Sequence, residues 1–162
     1  IKSYKHNTDI ICGANVICHI PKLTELIKTI DILLSKNGKF IFEEPYMGSM
    51  FKKTSYDQIY DEHIYMFSCT SVKKIFKLFD LNLEDAIPQK THGGSMRYIV
   101  SRKKIENKRL NKILDYEKKM NLDNLQSCIN FKKKCGNTPT QEPLMAGTHS
   151  ARDRHLYLLH TG

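Results

Sequence analysis

Several common features are missing from this 162-residue chain, and each absence narrows what the protein can be. No apolar run approaches the ~20 residues that a membrane-spanning helix requires. The chain opens Ile1-Lys2-Ser3, with neither an initiator methionine nor the apolar core of a signal peptide. We therefore expect a cytoplasmic protein without membrane contact, and a sequence that is an internal piece of a longer one. Its length suffices for one domain with a real core.

Paired cysteines are also missing. The five cysteines make an odd number, and no Cys-x-x-Cys pair occurs among them. That spacing favours neither a zinc site nor a disulfide framework. Cys12 and Cys18 flank an apolar run and are typical of small buried residues in a reducing compartment. We expect no metal.

The chain has little acid to balance its lysines, and its net charge is +9 with a pI near 9.3. The lysines are nevertheless dispersed over several predicted elements. No stripe alternates lysine with aromatic residues, and no zinc-finger or RNP-like pattern appears. The charge therefore indicates a solvated surface, and nucleic acid is not expected as a partner. A non-catalytic basic module that binds nucleic acid remains an alternative.

What is present begins with a strand, a helix and a strand. Residues 9–16 form an apolar run typical of a strand covered on both faces. Residues 22–35 carry a helical stripe that begins after Pro21 and should end at Asn37-Gly38. Residues 39–44 predict a second strand. Such a unit implies parallel strands joined by a right-handed crossover.

The following segments change the sheet from parallel to mixed. Ser68 or Thr70 can cap a helix over residues 71–79. Residues 81–87 and 95–101 predict two strands, and the short turn that contains Gly93-Gly94 makes them antiparallel. Residues 106–135 predict one or two helices interrupted near Asn121. The expected fold is α/β, with a mixed sheet followed by a helical segment.

Residues 136–162 differ in composition from everything before them. They contain no Lys, Ile, Val or Phe, and they carry His149, His155 and His160. A metal site is one interpretation, but the histidine spacing matches no ligand pattern. A disordered or foreign tail is the preferred one. The expected divisions are 1–102 (sheet domain), 103–135 (helical start of a second domain) and 136–162 (tail).

The segment whose residue types are best suited to catalysis follows the second strand. That strand ends in Glu43-Glu44-Pro45, and Tyr60, Glu62 and His63 lie in the polar connection 54–67. Ligands of open α/β sheets bind outside the carboxyl ends of the strands. A histidine beside a carboxylate can serve as a general base near neutral pH. A surface loop with scattered polar residues is an equal alternative on spacing alone.

Longer motifs carry a resemblance to a known family. They come in a matching order and spacing between about residues 9 and 101: Ala14-Asn15-Val16-Ile17-Cys18-His19-Ile20-Pro21, Phe42-Glu43-Glu44-Pro45-Tyr46, Tyr56-Asp57-Gln58-Ile59-Tyr60-Asp61-Glu62-His63, Phe67-Ser68 and Thr91-His92-Gly93-Gly94-Ser95-Met96-Arg97. Together they closely resemble the nucleotide-sugar C-methyltransferases. That family belongs to the class I S-adenosylmethionine-dependent methyltransferases, and its members methylate C3 of dTDP-4-keto-deoxysugars. The resemblance implies the C-terminal half of a Rossmann-like methyltransferase domain.

The resemblance also implies roles for individual residues. His63 would be the base that removes the sugar C3 proton, and Glu62 and Tyr60 would orient it or tune its pKa. His19 would face the same pocket. Asn15 would lie beside the methionine part of S-adenosylmethionine. The nucleotide-sugar substrate would be contacted by Tyr46, Lys52, Lys53 and His92.

Two parts of the family pattern are missing. No cysteine-rich zinc module is present, so the zinc of that module is not expected here. No Gly-x-Gly precedes a helix, so the turn that holds S-adenosylmethionine is not present either. We expect the isolated chain to be inactive. The alternative functions are a small-molecule O- or N-methyltransferase and the non-catalytic basic module.

Overall fold

The computed structural model describes residues 4–137 and, by their backbone, residues 155–159. Within these residues one five-stranded sheet has the strand order β3-β4-β2-β1-β5. The elements are β1 Thr8–Ala14, α1 Leu23–Leu33, β2 Leu34–Pro45, α2 Met47–Lys53, α3 Cys69–Lys77, β3 Asn82–Gln89, β4 Ser95–Ser101, α4 Lys108–Lys119, α5 Leu125–Asn137 and β5 His155–Leu159. Short 3-10 turns cover Ile17–His19 and Tyr56–Gln58.

The first unit has the predicted order of strand, helix and parallel strand. β1 and β2 pair in parallel, and α1 buries Leu23, Ile27 and Ile30. β2 is longer than predicted, since it begins directly after α1 and contains Gly38. A Cβ at Gly38 would lie 2.7 Å from the Thr8 carbonyl oxygen. Glycine therefore permits a close approach of the two strands beside a β-bulge and does not end the helix.

The second unit makes the sheet mixed, as the sequence predicts. β3 and β4 pair antiparallel, and β4 pairs antiparallel with β2. Ser68 caps α3, because its hydroxyl accepts from the Ser71 N–H while the Ser71 hydroxyl accepts from the Ser68 N–H. This confirms one of the two predicted caps.

Aromatic side chains dominate the interior beneath the sheet. Phe42 stacks on Phe40 and Tyr98, with ring centroids 4.9 and 4.8 Å away, and Phe76 of α3 packs against both phenylalanines. All four side chains are at most 1% exposed. Burial of a phenylalanine contributes roughly 1.5–3 kcal/mol. This cluster holds α3 against the centre of the sheet.

The helices at the end of the first 137 residues follow the prediction. α4 and α5 are separate, and Asn121 between them has a left-handed φ of 50°. α2 was not predicted. No helix in the described part of the chain is both long and apolar enough to cross a bilayer.

Only part of the predicted tail lies within the residues that the structure describes. Residues 138–154 and 160–162, with His149 and His160, lie outside the described residues. Residues 155–159 form β5, which pairs antiparallel with β1. No periodicity in the sequence predicted that strand.

Candidate functional site

The chain after β1 is held by a buried carboxylate at the end of β2. Glu44 is fully buried, and its Oε1 accepts hydrogen bonds from the N–H groups of Val16 and Ile17 at 3.0 and 2.7 Å. Burial raises the pKa of Glu44, while the thiol of Cys18 and these N–H groups oppose the rise. The sequence showed Glu44 as a strand end without a role. It positions the 3-10 turn that carries Cys18 and His19.

The predicted base lies against this turn. His63 is half-buried, and its ring centroid is 4.9 Å from that of His19. The Cys18 carbonyl accepts from the Ile64 N–H at 2.9 Å, which docks the loop on the turn. His19 and His63 are 44 positions apart in the sequence, and the fold brings them together.

Backbone carbonyls determine the tautomers of both histidines. His19 Nδ1 lies 2.7 Å from the Glu62 carbonyl oxygen, and His63 Nδ1 lies 2.7 Å from the Gln58 carbonyl oxygen. A carbonyl oxygen can only accept, so each Nδ1 carries a proton. In the neutral imidazole, Nε2 then keeps its lone pair. For His63, the Tyr60 hydroxyl donates to that lone pair at 2.8 Å.

The structure joins Glu62 to the site through its main chain. Its carbonyl oxygen is the partner of His19, and its side chain is exposed. Tyr60 is 45% exposed and lies with its ring centroid 4.0 Å from that of His63. The roles of these residues stay predictions, with Tyr60 in direct contact with the predicted base.

A cysteine joins the histidines. One ligand atom each from Cys18, His19 and His63 lies within 4.8 Å of the other two. The spacing of the cysteines predicted only a small buried residue at Cys18, because no second cysteine lies at a ligand distance from it in the sequence. The adjacent pair Cys18-His19, placed after a strand, was the available signal.

A second polar cluster surrounds the turn between β3 and β4. Asn15, with a left-handed φ of 51°, donates from Nδ2 to Nε2 of His92 across 3.2 Å. Glu43 accepts from the Thr91 hydroxyl and from Arg97, at 2.8 and 3.0 Å. The predicted cofactor contact and the predicted sugar contact therefore touch each other, at the carboxyl ends of β1 and β2.

The predicted diphosphate contacts separate into two environments. Lys52 and Lys53 are exposed at the end of α2, and Lys53 donates to the Gly93 carbonyl oxygen at 2.5 Å. Tyr46 is only 7% exposed, and its hydroxyl donates to Glu117 at 2.9 Å. Burial, together with the Glu117 charge, raises the pKa of Tyr46 far above its usual range. The geometry of Tyr46 is that of a core residue and lends no support to a substrate contact.

A groove of about 750 Å³ lies elsewhere, between α3 and α4. Lysines 73, 74, 77 and 118 line it together with leucines, and none of the predicted site residues does. Size alone does not make it the reaction centre, since no histidine or cysteine among the described residues borders it. The histidine pair and the Asn15–His92 contact define the candidate site.

Known proteins are similar in sequence to this region. A family model described as a methyltransferase domain matches residues 1–86. C-methyltransferase NovU of Streptomyces niveus is 31% identical over 87 residues, which cover 54% of this chain and 21% of that protein. This chain therefore spans about a fifth of the length of that relative.

A solved structure, the PH0226 protein from Pyrococcus horikoshii OT3, is 16% identical with a TM-score of 0.43, and the match covers 62% of this chain and 54% of that one. That likeness is too distant to add to the assignment, which rests on the family match over residues 1–86. The chain belongs to the methyltransferase domain family.

Proposed function

We propose that this chain supplies the catalytic half of an S-adenosylmethionine-dependent C-methyltransferase that acts on C3 of a nucleotide-linked 4-keto-deoxysugar. The observation that carries the proposal is the His63 ring, whose Nδ1 proton is held by the Gln58 carbonyl while Nε2 faces the Tyr60 hydroxyl. The similarity to a C-methyltransferase supports it. The cytoplasm is the location that we propose, on the reducing-compartment argument from the sequence.

Methylation of a carbon beside a ketone needs a base and a donor. The base removes the C3 proton, and the donor stabilises the negative charge that develops on the C4 oxygen. Nε2 of His63 has the lone pair for the first task. The Tyr60 hydroxyl donates a hydrogen bond to that lone pair. A bound substrate would displace the hydroxyl from His63, and the hydroxyl could then donate to the C4 oxygen. His19 lies beside His63 and could share the second task only as the imidazolium, because its Nδ1 proton is already held by the Glu62 carbonyl oxygen.

The residues of this chain fit the methionine part of S-adenosylmethionine. When bound, S-adenosylmethionine supplies the electrophilic methyl group. The buried Oδ1 of Asn15 has no hydrogen-bond partner among the described residues. An acceptor without a partner fits the ammonium group of a methionine moiety, because a buried oxygen gains most from a charged donor. We assign Asn15 this contact.

The substrate contacts follow from position and charge. Lys52 and Lys53 carry exposed cations beside the Gly93-Gly94 turn, where a diphosphate would find two positive charges. His92 would line the sugar pocket next to Asn15. Tyr46 would contribute indirectly, by holding the start of α2.

Exchange of the sugar C3 proton with solvent deuterium tests the proposal without turnover. In the native protein, with S-adenosylmethionine or its demethylated product bound, NMR should show exchange for the parent. His63→Ala should slow exchange by about 10²–10⁴-fold, the range for a positioned base. Exchange at the parent rate would remove His63 as the base. Methyl transfer to an oxygen or nitrogen without C3 exchange would instead support a small-molecule O- or N-methyltransferase.

A further inference from the structure

We infer that Cys18, His19 and His63 form a site for a thiophilic divalent metal ion such as Zn²⁺, with water as the fourth ligand. Their ligand atoms lie within 4.8 Å of one another. One thiolate and two imidazoles are a ligand set suited to zinc, and three protein ligands plus water give a common open coordination. The residues come from one turn and one loop that the Cys18 carbonyl already joins.

The two histidines are prepared for such an ion. A histidine bound to a metal through one nitrogen usually donates its other N–H to a carbonyl or carboxylate. His19 and His63 each do so through Nδ1, to the carbonyls of Glu62 and Gln58. Both rings therefore present Nε2 lone pairs without any change of tautomer. The main-chain carbonyl groups of Glu62 and Gln58 would thus form the outer coordination shell of the metal.

Closing the site requires small movements. Metal–ligand bonds of about 2.0–2.3 Å place neighbouring ligand atoms about 3.3–3.7 Å apart. The three side chains would move closer by about 1 Å, and the Tyr60 hydroxyl would leave Nε2 of His63. Tyr60 is 45% exposed and can turn toward solvent. As the sulfur–metal bond forms, the Cys18 thiol gives up its hydrogen bond to Glu44 and releases its proton to solvent, so the ion and the thiolate together carry a net charge of +1.

The consequence for chemistry rests on the function proposed above. A metal on Nε2 of His63 takes the lone pair that would remove the C3 proton. The metal-bound protein cannot act as that base, and the site is therefore inhibitory. A chelator should restore the reaction fully, because no covalent bond within the protein has changed.

Cobalt is the direct probe of the site, because Co²⁺ in a tetrahedral site with a thiolate absorbs in the visible and shows a sulfur-to-metal charge-transfer band. The 162-residue chain titrated with Co²⁺ should develop both features, and Zn²⁺ should bleach them. Cys18→Ser should remove the charge-transfer band. His63→Gln should weaken Co²⁺ binding by at least about 10-fold and keep the fold, since its side chain is only half-buried.

Cys128→Ser is the matched control, because Cys128 is an exposed thiol on α5 that does not belong to the cluster of Cys18, His19 and His63. It should leave the spectrum unchanged. The inference fails if the parent shows no tetrahedral spectrum, or if Cys128→Ser removes the band while His63→Gln does not. Because Co²⁺ binding needs neither cofactor nor sugar, this test is separate from the proposed function. If His63→Ala still exchanges the C3 proton but the Co²⁺ result holds, the metal site stands and the base role does not.

Discussion

Tyr46 and Glu117 meet in the interior, where the tyrosine hydroxyl donates to the carboxylate at 2.9 Å. Glu117 is 1% exposed and also accepts from the N–H groups of Cys69 and Thr70 and from the Thr70 hydroxyl, at 2.7, 2.8 and 2.6 Å. One side chain of α4 therefore satisfies the first turn of α3 and the residue that precedes α2. A carboxylate at a helix N-terminus is also favoured by the helix dipole.

Glu117→Ala should destabilise the fold by about 3–5 kcal/mol, because it leaves buried donors of α3 and Tyr46 without an acceptor. Urea unfolding followed by circular dichroism measures this loss. Glu106→Ala, at an exposed position, should change stability by no more than about 0.5 kcal/mol. Equal effects from the two variants would contradict the bonding role of Glu117.

Glu44→Gln should alter how stability depends on pH. The folded pKa of Glu44 is raised above its ordinary value of 4.5, so the folded state binds this proton more tightly than the unfolded chain does. Its contribution to stability is present below pH 4.5 and is lost as pH rises through the folded pKa. The Gln variant lacks that loss while keeping an oxygen for Val16 and Ile17.

The free energy of unfolding of this variant, minus that of the parent, should therefore increase as pH rises from 4.5 to the folded pKa of Glu44, by about 1.4 kcal/mol in total for each unit of pKa shift. Urea titrations at several pH values measure it. Glu106→Gln is the control and should show a constant difference. If the difference in free energy of unfolding for Glu44→Gln were also independent of pH, burial would not raise the pKa of Glu44.

Gly94→Ala should cost more stability than Gly136→Ala. Gly94 has a φ of 122°, and a Cβ there would lie 2.6 Å from the Ser49 hydroxyl oxygen. Backbone strain of this kind costs about 1–3 kcal/mol before any clash is counted. In contrast, a Cβ at Gly136 in α5 would meet no atom of the described residues within 4 Å. Gly136→Ala should be neutral or stabilising by up to about 1 kcal/mol, measured by the same urea titration.

The 162-residue chain should bind S-adenosylmethionine weakly. Asn15 provides a contact for the methionine part, but the sequence contains no Gly-rich turn that leads into a helix. Isothermal titration calorimetry is the measurement. A micromolar dissociation constant, equivalent to about −8 kcal/mol, would show that the residues present hold the cofactor by themselves.

Local patterns were sufficient to predict much of the sheet. The apolar stripe of α1, the cap at Ser68 and the turn at Gly93-Gly94 each act over a few residues, and the structure confirms all three. The prediction that Gly38 ends the first helix was wrong, because this glycine contacts Thr8 on another strand. α2 was not predicted because seven residues are too few to show a helical pattern of apolar positions.

The site was predictable in its residue types and not in its contacts. The motif around His63 indicated a base, and His19 was expected to face the same pocket. The fold brings these two rings together and adds Cys18 beside them. The buried hydrogen bond from Tyr46 to Glu117 joins residues 71 positions apart, and no local sequence pattern predicts such a pair. Pairings of that kind depend on how α4 packs on α3.

The pairing of β5 with β1 has a consequence for the order in which the chain folds. Ile10 is opposite Leu159, so the two strands come from nearly opposite ends of this sequence. During synthesis, β1 leaves the ribosome well before its outer partner, because about 140 residues separate the two strands. Contacts between such distant segments form slowly, and an unpaired strand edge attracts other chains meanwhile. Aggregation during expression should therefore depend on how soon residues 155–159 reach β1.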